Sequence, residues 1–101
     1  MKHFRTYSLA VEFYRQAVAL RYPRYLKDQL ARAASSVVLN LAEGWGRAGA
    51  ADRRRFFNIA FGSLRECQAI LDLTAEPAVA AREKADVLAA HLFKLIKVCG
   101  I

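Results

Sequence analysis

Hydrophobic positions along the chain recur at steps of three and four, the spacing that keeps side chains on one face of an α-helix. From about Ser8 to Tyr22 the stripe is Leu9, Phe13, Ala17 and Leu20. Ser8 is placed to cap the start of this helix, and Glu12 suits its early turns. Pro23 disfavours helix at the residue before it, so a break is expected near Arg21 and Tyr22. A second pattern runs from about Tyr25 to Glu43 on Leu26, Leu30, Ala33, Ala34, Val37 and Leu41. A third follows Asp52, a plausible cap, with Phe56, Ile59, Ala60, Ser63, Leu64, Cys67, Ile70 and Leu71 on its apolar face. Pro77 marks the end of that helix or the opening of the next. The last pattern, about Val79 to Val98, is expected to bury Val87, Leu88, His91 or Leu92, Leu95 and Ile96 before it meets Gly100. Four helices on short turns predict an all-α, up-down-up-down four-helix bundle, a single domain over residues 1–101.

The stretch from Asn40 to Arg55, NLAEGWGRAGAADRRR, interrupts this periodicity with Gly44, Gly46 and Gly49 in the spacing G-x-G-x-x-G. Such a triplet belongs to dinucleotide sites when it follows a strand, and Val37, Val38, Leu39 and Leu41 resemble one, with Asp72 at a suitable distance downstream. The reading needs a parallel sheet of several strands. The other apolar runs, Ala69 to Leu73 among them, are too few and too short to supply that sheet. The glycines are therefore read as a helix terminator and corner, since helix ends often require the left-handed conformation. No cofactor is expected.

Charge changes the picture most. Sixteen Lys and Arg stand against nine Asp and Glu, a net charge of +7. Residues 1–65 hold 12 basic and 4 acidic side chains (+8), and residues 66–101 hold 4 and 5 (−1), so the excess lies in the first two thirds. That asymmetry points to a polyanionic partner; the plainer alternative is a basic charge that serves solubility. Hydrophobic residues make up 55% of the chain, much of it alanine. Large apolar residues nevertheless recur on more than one face of some segments, which predicts self-association. Cys67 and Cys99 lack metal spacing and read as small apolar side chains. The basic N-terminus meets Glu12 and Arg15 before any apolar core of signal-peptide length, and no run approaches a membrane span. A soluble, cytoplasmic protein is expected.

Catalytic constellations are sparse. His3 lies near the terminus, His91 reads as a packing histidine, and Ser35, Ser36 and Ser63 lack a nucleophile elbow. Ser36, Asn40 and Glu43 follow steps of four and three, and Ser63 and Glu66 repeat the relation on the third helix, with Gly62 there to admit a close neighbour. These five are expected to form a polar ladder that fixes helix register. The catalytic alternative is that Glu43 and Glu66 act as an acid and base pair. Arg53, Arg54 and Arg55 stand in the first turn of a helix, where the macrodipole disfavours each cation by roughly 0.3 to 1 kcal/mol. With Arg47 they would make a phosphate-binding corner, extended by Arg24, Lys27 and Arg32. The bland alternative is a solvated face or ion pairs between subunits. Trp45, Phe56 and Phe57 interleave with these arginines, either to stack on bases or to plug the bundle or an interface.

Two segments carry a family resemblance: QLARAASSVVLNLAEGWGR at 29–47 and FFNIAFGSLRE at 56–66. They resemble the pattern of bacterial four-helix-bundle proteins encoded within intervening sequences of 23S ribosomal RNA: glutamine, arginines, a serine and N-I-A-E-G-x-G-R, then F-x-x-I-A-x-G-S-L-x-E. Ala31 stands where a second arginine is common, Leu41 replaces the usual isoleucine, and the Arg53 to Arg55 triplet is richer than that pattern. The resemblance implies a ring-forming homo-oligomer, typically a pentamer, without enzymatic activity. It extends to the accessory proteins of diversity-generating retroelements, and so implies RNA or DNA and a reverse transcriptase as partners. Together these readings predict a nonenzymatic basic bundle that binds RNA or DNA through phosphates, with a structural oligomer that recruits protein partners as the alternative.

Overall fold

The computed structural model describes residues 4–74 and 77–99; His3 and Gly100 lie outside them. Four helices form: α1 (Arg5–Val18), α2 (Arg24–Trp45), α3 (Ala50–Asp72) and α4 (Val79–Cys99). The described residues contain no strand, which removes the sheet that a dinucleotide site would need. Each helix packs on its sequence neighbours and α1 closes against α4, while α1 and α3, and α2 and α4, stay apart. Paired residues run in opposite order on neighbouring helices. Ser36 meets Ser63 and Gln29 meets Glu66 across α2 and α3, while Gln68 meets Asp86 and Asp72 meets Arg82 across α3 and α4. This is an up-down-up-down four-helix bundle, 41 × 21 × 21 Å. Among the described residues, no helix is long and apolar enough to cross a membrane.

Tertiary packing moves the helix ends away from their expected positions. Ser8 does not cap α1: its N–H bonds the Phe4 carbonyl at 3.1 Å inside the first turn. The helix begins where the buried Phe4 ring locks under Trp45 and beside Phe57, at centroid distances of 4.2 and 6.2 Å. It ends at Val18 rather than Tyr22, with a tightened last turn in which Ala19 and Leu20 bond Gln16 and Ala17. Tyr22 is then free to leave the helical phase and bury its ring in the connection. At the next joint α2 runs on through Gly44 to Trp45, and Gly49, not Asp52, occupies the cap position of α3. Asp52 lies in the first turn, where its charge still suits the helix dipole. No described glycine has a positive φ, so the corner is not built on left-handed glycine.

One continuous core fills the bundle, with Phe13, Phe57, Leu30, Leu41, Leu64, Leu88 and Leu92 among its buried members. Burying each such side chain stabilises the fold by roughly 1.5 to 3 kcal/mol. The buried line of α3 is Phe57, Ala60, Leu64, Cys67, Ile70 and Leu71. That phase leaves Phe56 half-buried and Ile59 exposed; on α4, Val87 and His91 also face outward. Periodicity found the right helices but, where apolar residues neighbour one another, could not choose the phase. Lys84 on α4 bonds Glu12 on α1 at 2.9 Å and, through that bond, holds the Glu12 carboxyl below its ordinary value of 4.5.

Gly44 is buried for a steric reason. A Cβ there would stand 2.7 and 2.9 Å from the Phe57 ring and 3.0 Å from Phe56 Cβ, distances that demand a shift in a packed region. Gly62, expected to admit a close helix, is exposed, and a Cβ at that position would meet nothing within 4 Å. Gly44→Ala should therefore destabilise the bundle by about 1 to 3 kcal/mol. Gly62→Ala should stabilise it by about 0.5 to 1 kcal/mol, because glycine inside a helix carries excess chain entropy. Urea unfolding of the two variants checks both signs.

Candidate nucleic-acid interface

The joint between α2 and α3 gathers the arginines that follow the glycines. Close approach at Gly44 seats Phe57 inside the bundle and leaves its neighbour Phe56 half-buried beneath the corner. The Phe56 ring then carries two guanidinium groups, Arg47 at 4.8 Å and Arg55 at 4.4 Å from its centroid. At a partly exposed site each such contact contributes roughly 0.5 to 1 kcal/mol. Arg53 turns back on the loop, its Nε donating to the Arg47 carbonyl at 2.6 Å. That bond helps explain why a cation is tolerated in the first turn of α3: it closes the connection with a charge-assisted hydrogen bond. Arg54 is half-buried beside them.

Two carboxylates stand within this group. Glu43 accepts from Arg47 at 2.7 Å, linking the last turn of α2 to the loop that follows it. Asp52 lies 3.8 Å from Arg47 Nε and 3.3 Å from Arg55. Arg47 Nε makes no hydrogen bond although it is shielded from solvent, because the Asp52 oxygen is close enough for charge attraction and too far for a bond. The four arginines 47, 53, 54 and 55 against Glu43 and Asp52 leave the corner at +2. Exposed guanidinium groups held on a ring and a carbonyl have the planar, directional donors that suit phosphate oxygens.

Arg24, Lys27 and Arg32 do not join this group. Arg24 begins α2 and the corner follows its end, 21 residues on, which corresponds to about 30 Å of helix. Arg24 lies near Asp28 at 3.8 Å, and Lys27 and Arg32 are exposed along the same helix. Trp45 divides its roles: one ring face stacks on Phe4 while 47% of the residue stays exposed beside the corner.

The polar ladder also divides. Ser36 and Ser63 share a 2.8 Å hydrogen bond between α2 and α3, and the Asn40 amide donates to the Ser36 carbonyl at 2.9 Å and to its hydroxyl at 3.1 Å. Glu66 instead accepts from Gln29 at 3.4 Å on the exposed surface, and Glu43 turns to Arg47. Gln29 precedes Glu43 by 14 residues on α2, so the two carboxylates sit about 20 Å apart, too far to share one acid and base reaction. Cys67 is buried in the core, and desolvation with the nearby Glu66 charge pushes its thiol up to about 12, so it is unreactive at neutral pH. Sequence reasoning did not foresee Phe56 as the arginine platform. Arg82 was missed too; it bridges Asp72 at 2.7 Å and donates to the last turn of α3 at Leu71. The signal for the first was its place next to Arg55 and nine residues after Arg47, which becomes contact only once the chain turns.

A model of the 23S rRNA-intervening sequence protein family matches residues 4–100. No curated protein matches the chain.

The Ser36, Ser63 and Asn40 cluster carries a stability prediction. Ser36→Ala leaves Ser63 and part of the Asn40 amide without a partner and should cost about 1 to 3 kcal/mol. Adding Ser63→Ala removes one orphan, so the double variant should lose less than the sum of the single losses. A denaturant double-mutant cycle measures the difference.

Proposed function

The chain belongs to the 23S rRNA-intervening sequence protein family, and from that premise we propose that it is a nonenzymatic, basic bundle that binds RNA or DNA through the phosphate backbone at the α2–α3 corner. The observation that carries the reading is the clustering of charge. Residues 1–65 hold an excess of +8, and Arg47, Arg53, Arg54 and Arg55 converge where α2 hands over to α3. Guanidinium groups aimed at phosphates position a polymer without reading its bases. Trp45, half-exposed beside them, offers a ring face for an unpaired base.

Self-association is part of the proposal, as a ring of copies, five in the form the family resemblance implies. Its support is the apolar surface outside the core: Leu39 on α2 is 66% exposed beside Val11, Tyr14 and Val38, and Phe93 on α4 is 53% exposed. A ring multiplies the corner, so several weak phosphate contacts would act on one polymer. Two cytoplasmic settings fit this reading, a frame inserted in a 23S ribosomal RNA gene and service beside a retroelement reverse transcriptase, and the genes adjacent to the frame distinguish them. The second reading, a structural oligomer that recruits protein, draws on the same exposed apolar residues and on the ion pairs within the corner.

Binding of a structured RNA should weaken steeply with salt, log affinity falling linearly against log salt concentration as counterions return to the phosphates. Replacing Arg53, Arg54 and Arg55 by alanine should lower both the affinity and that slope, and native mass spectrometry of the same samples gives the number of copies. RNA binding that is absent at low salt, or identical in the alanine variant, contradicts the assignment and leaves the protein scaffold.

A further inference from the structure

The two carboxylates of the corner are placed as a phosphate would be. Glu43 takes the Arg47 guanidinium at 2.7 Å, and Asp52 takes Arg55 at 3.3 Å while standing 3.8 Å from Arg47. Phe56 holds the same two guanidinium groups from another side, at 4.8 and 4.4 Å. The cations are thus oriented and partly neutralised before any ligand arrives. The side chains of Glu43, Asp52, Arg47 and Arg55 all keep 41% or more of their surface exposed, so each pair is open to exchange by an incoming anion.

We propose that Glu43 and Asp52 are specificity-determining residues: they are internal competitors that the phosphates of a nucleic-acid strand displace, and they reject isolated anions. This rests on the reading of the corner as a phosphate-binding site. A free phosphate can meet Arg53 and Arg54, but with no second phosphate attached it gains too little there to break the Glu43 and Asp52 pairs as well. A strand brings several phosphates at fixed spacing and engages Arg53 and Arg54, which make no ion pair with either carboxylate among the described residues, before exchanging the paired arginines. The corner therefore discriminates polymer from monomeric anion without contacting a base.

The test uses the full chain, a short single-stranded RNA and inorganic phosphate. At about 0.1 M salt, where interactions beyond roughly 10 Å are screened, Glu43→Gln and Asp52→Asn should each tighten RNA binding. The gain for each should be about three- to fivefold, the effect of removing one opposing charge at contact distance in water. Glu83→Gln, which makes the same change of charge near the start of α4 and away from the corner, should change affinity less. Millimolar inorganic phosphate should displace RNA from the Glu43→Gln, Asp52→Asn double variant and not from the unaltered protein. Affinity unchanged or lowered in both single variants, while alanine at Arg53, Arg54 and Arg55 abolishes binding, overturns the competitor role and leaves the corner as the site. RNA affinity unaffected by the arginine changes overturns the site itself, and this inference with it.

Discussion

Where α2 ends, the Phe57 ring fills the space that a side chain at position 44 would need, and the geometry of the corner follows from that contact. With Phe57 inside, the chain reverses within a few residues, and Phe56 is left at the surface as a platform. The same close approach continues down the pair as the Ser36, Ser63 and Asn40 cluster, whose hydrogen bonds need the helices in one register. A slip in that register would leave hydroxyl and amide groups unpaired, each at a cost of about 1 to 3 kcal/mol. Steric fit at one end and polar fit in the middle thus point to a single arrangement of α2 on α3.

That arrangement makes an electrostatically awkward sequence workable. Because α3 starts at Ala50, Arg53 closes its first turn and Arg54 and Arg55 open the second, one turn later than their spacing from Asp52 suggested. There they still oppose, more weakly, the partial positive charge of its free amides. The fold offsets the opposition locally: Asp52 lies among them, Arg53 finds a carbonyl acceptor in the loop, and Arg47 and Arg55 rest on the Phe56 ring. What remains is a net positive surface with guanidinium groups already oriented. A strand able to displace the two carboxylates would meet fixed donors, and little entropy would be lost in ordering them. Phe4 supports the floor from the start of α1, stacking under Trp45, so the first helix also contributes to holding the corner.

Much of this was legible in the residues. Steps of three and four on Leu26, Leu30, Val37 and Leu41, or on Ala60, Leu64, Cys67 and Leu71, identify their helices, because the period survives any tertiary context. Gly44 was legible as important and not as what it is. Its spacing suggested termination, whereas its role is to have no Cβ against a ring 13 residues away, a fact that belongs to the folded pair. The arginines of the corner adjoin one another in sequence and come together; Arg24, Lys27 and Arg32 do not, because helix length carries them away from it. Ser8 and Asp52 look like caps by composition, yet Phe4 burial and the extended Gly49 set the boundaries. Where adjacent residues are both apolar, as at Phe56 and Phe57, only packing decides which one turns inward.

Contact mapping tests most directly whether the α2–α3 corner is the surface that meets nucleic acid. Ultraviolet crosslinking of the intact protein to a short single-stranded RNA, read by mass spectrometry of the peptides, should place the adducts between residues 43 and 57, with Trp45 and Phe56 foremost. Adducts confined to α4 or to the exposed residues at the start of α2, with none in that stretch, would place nucleic acid elsewhere and contradict binding at the corner.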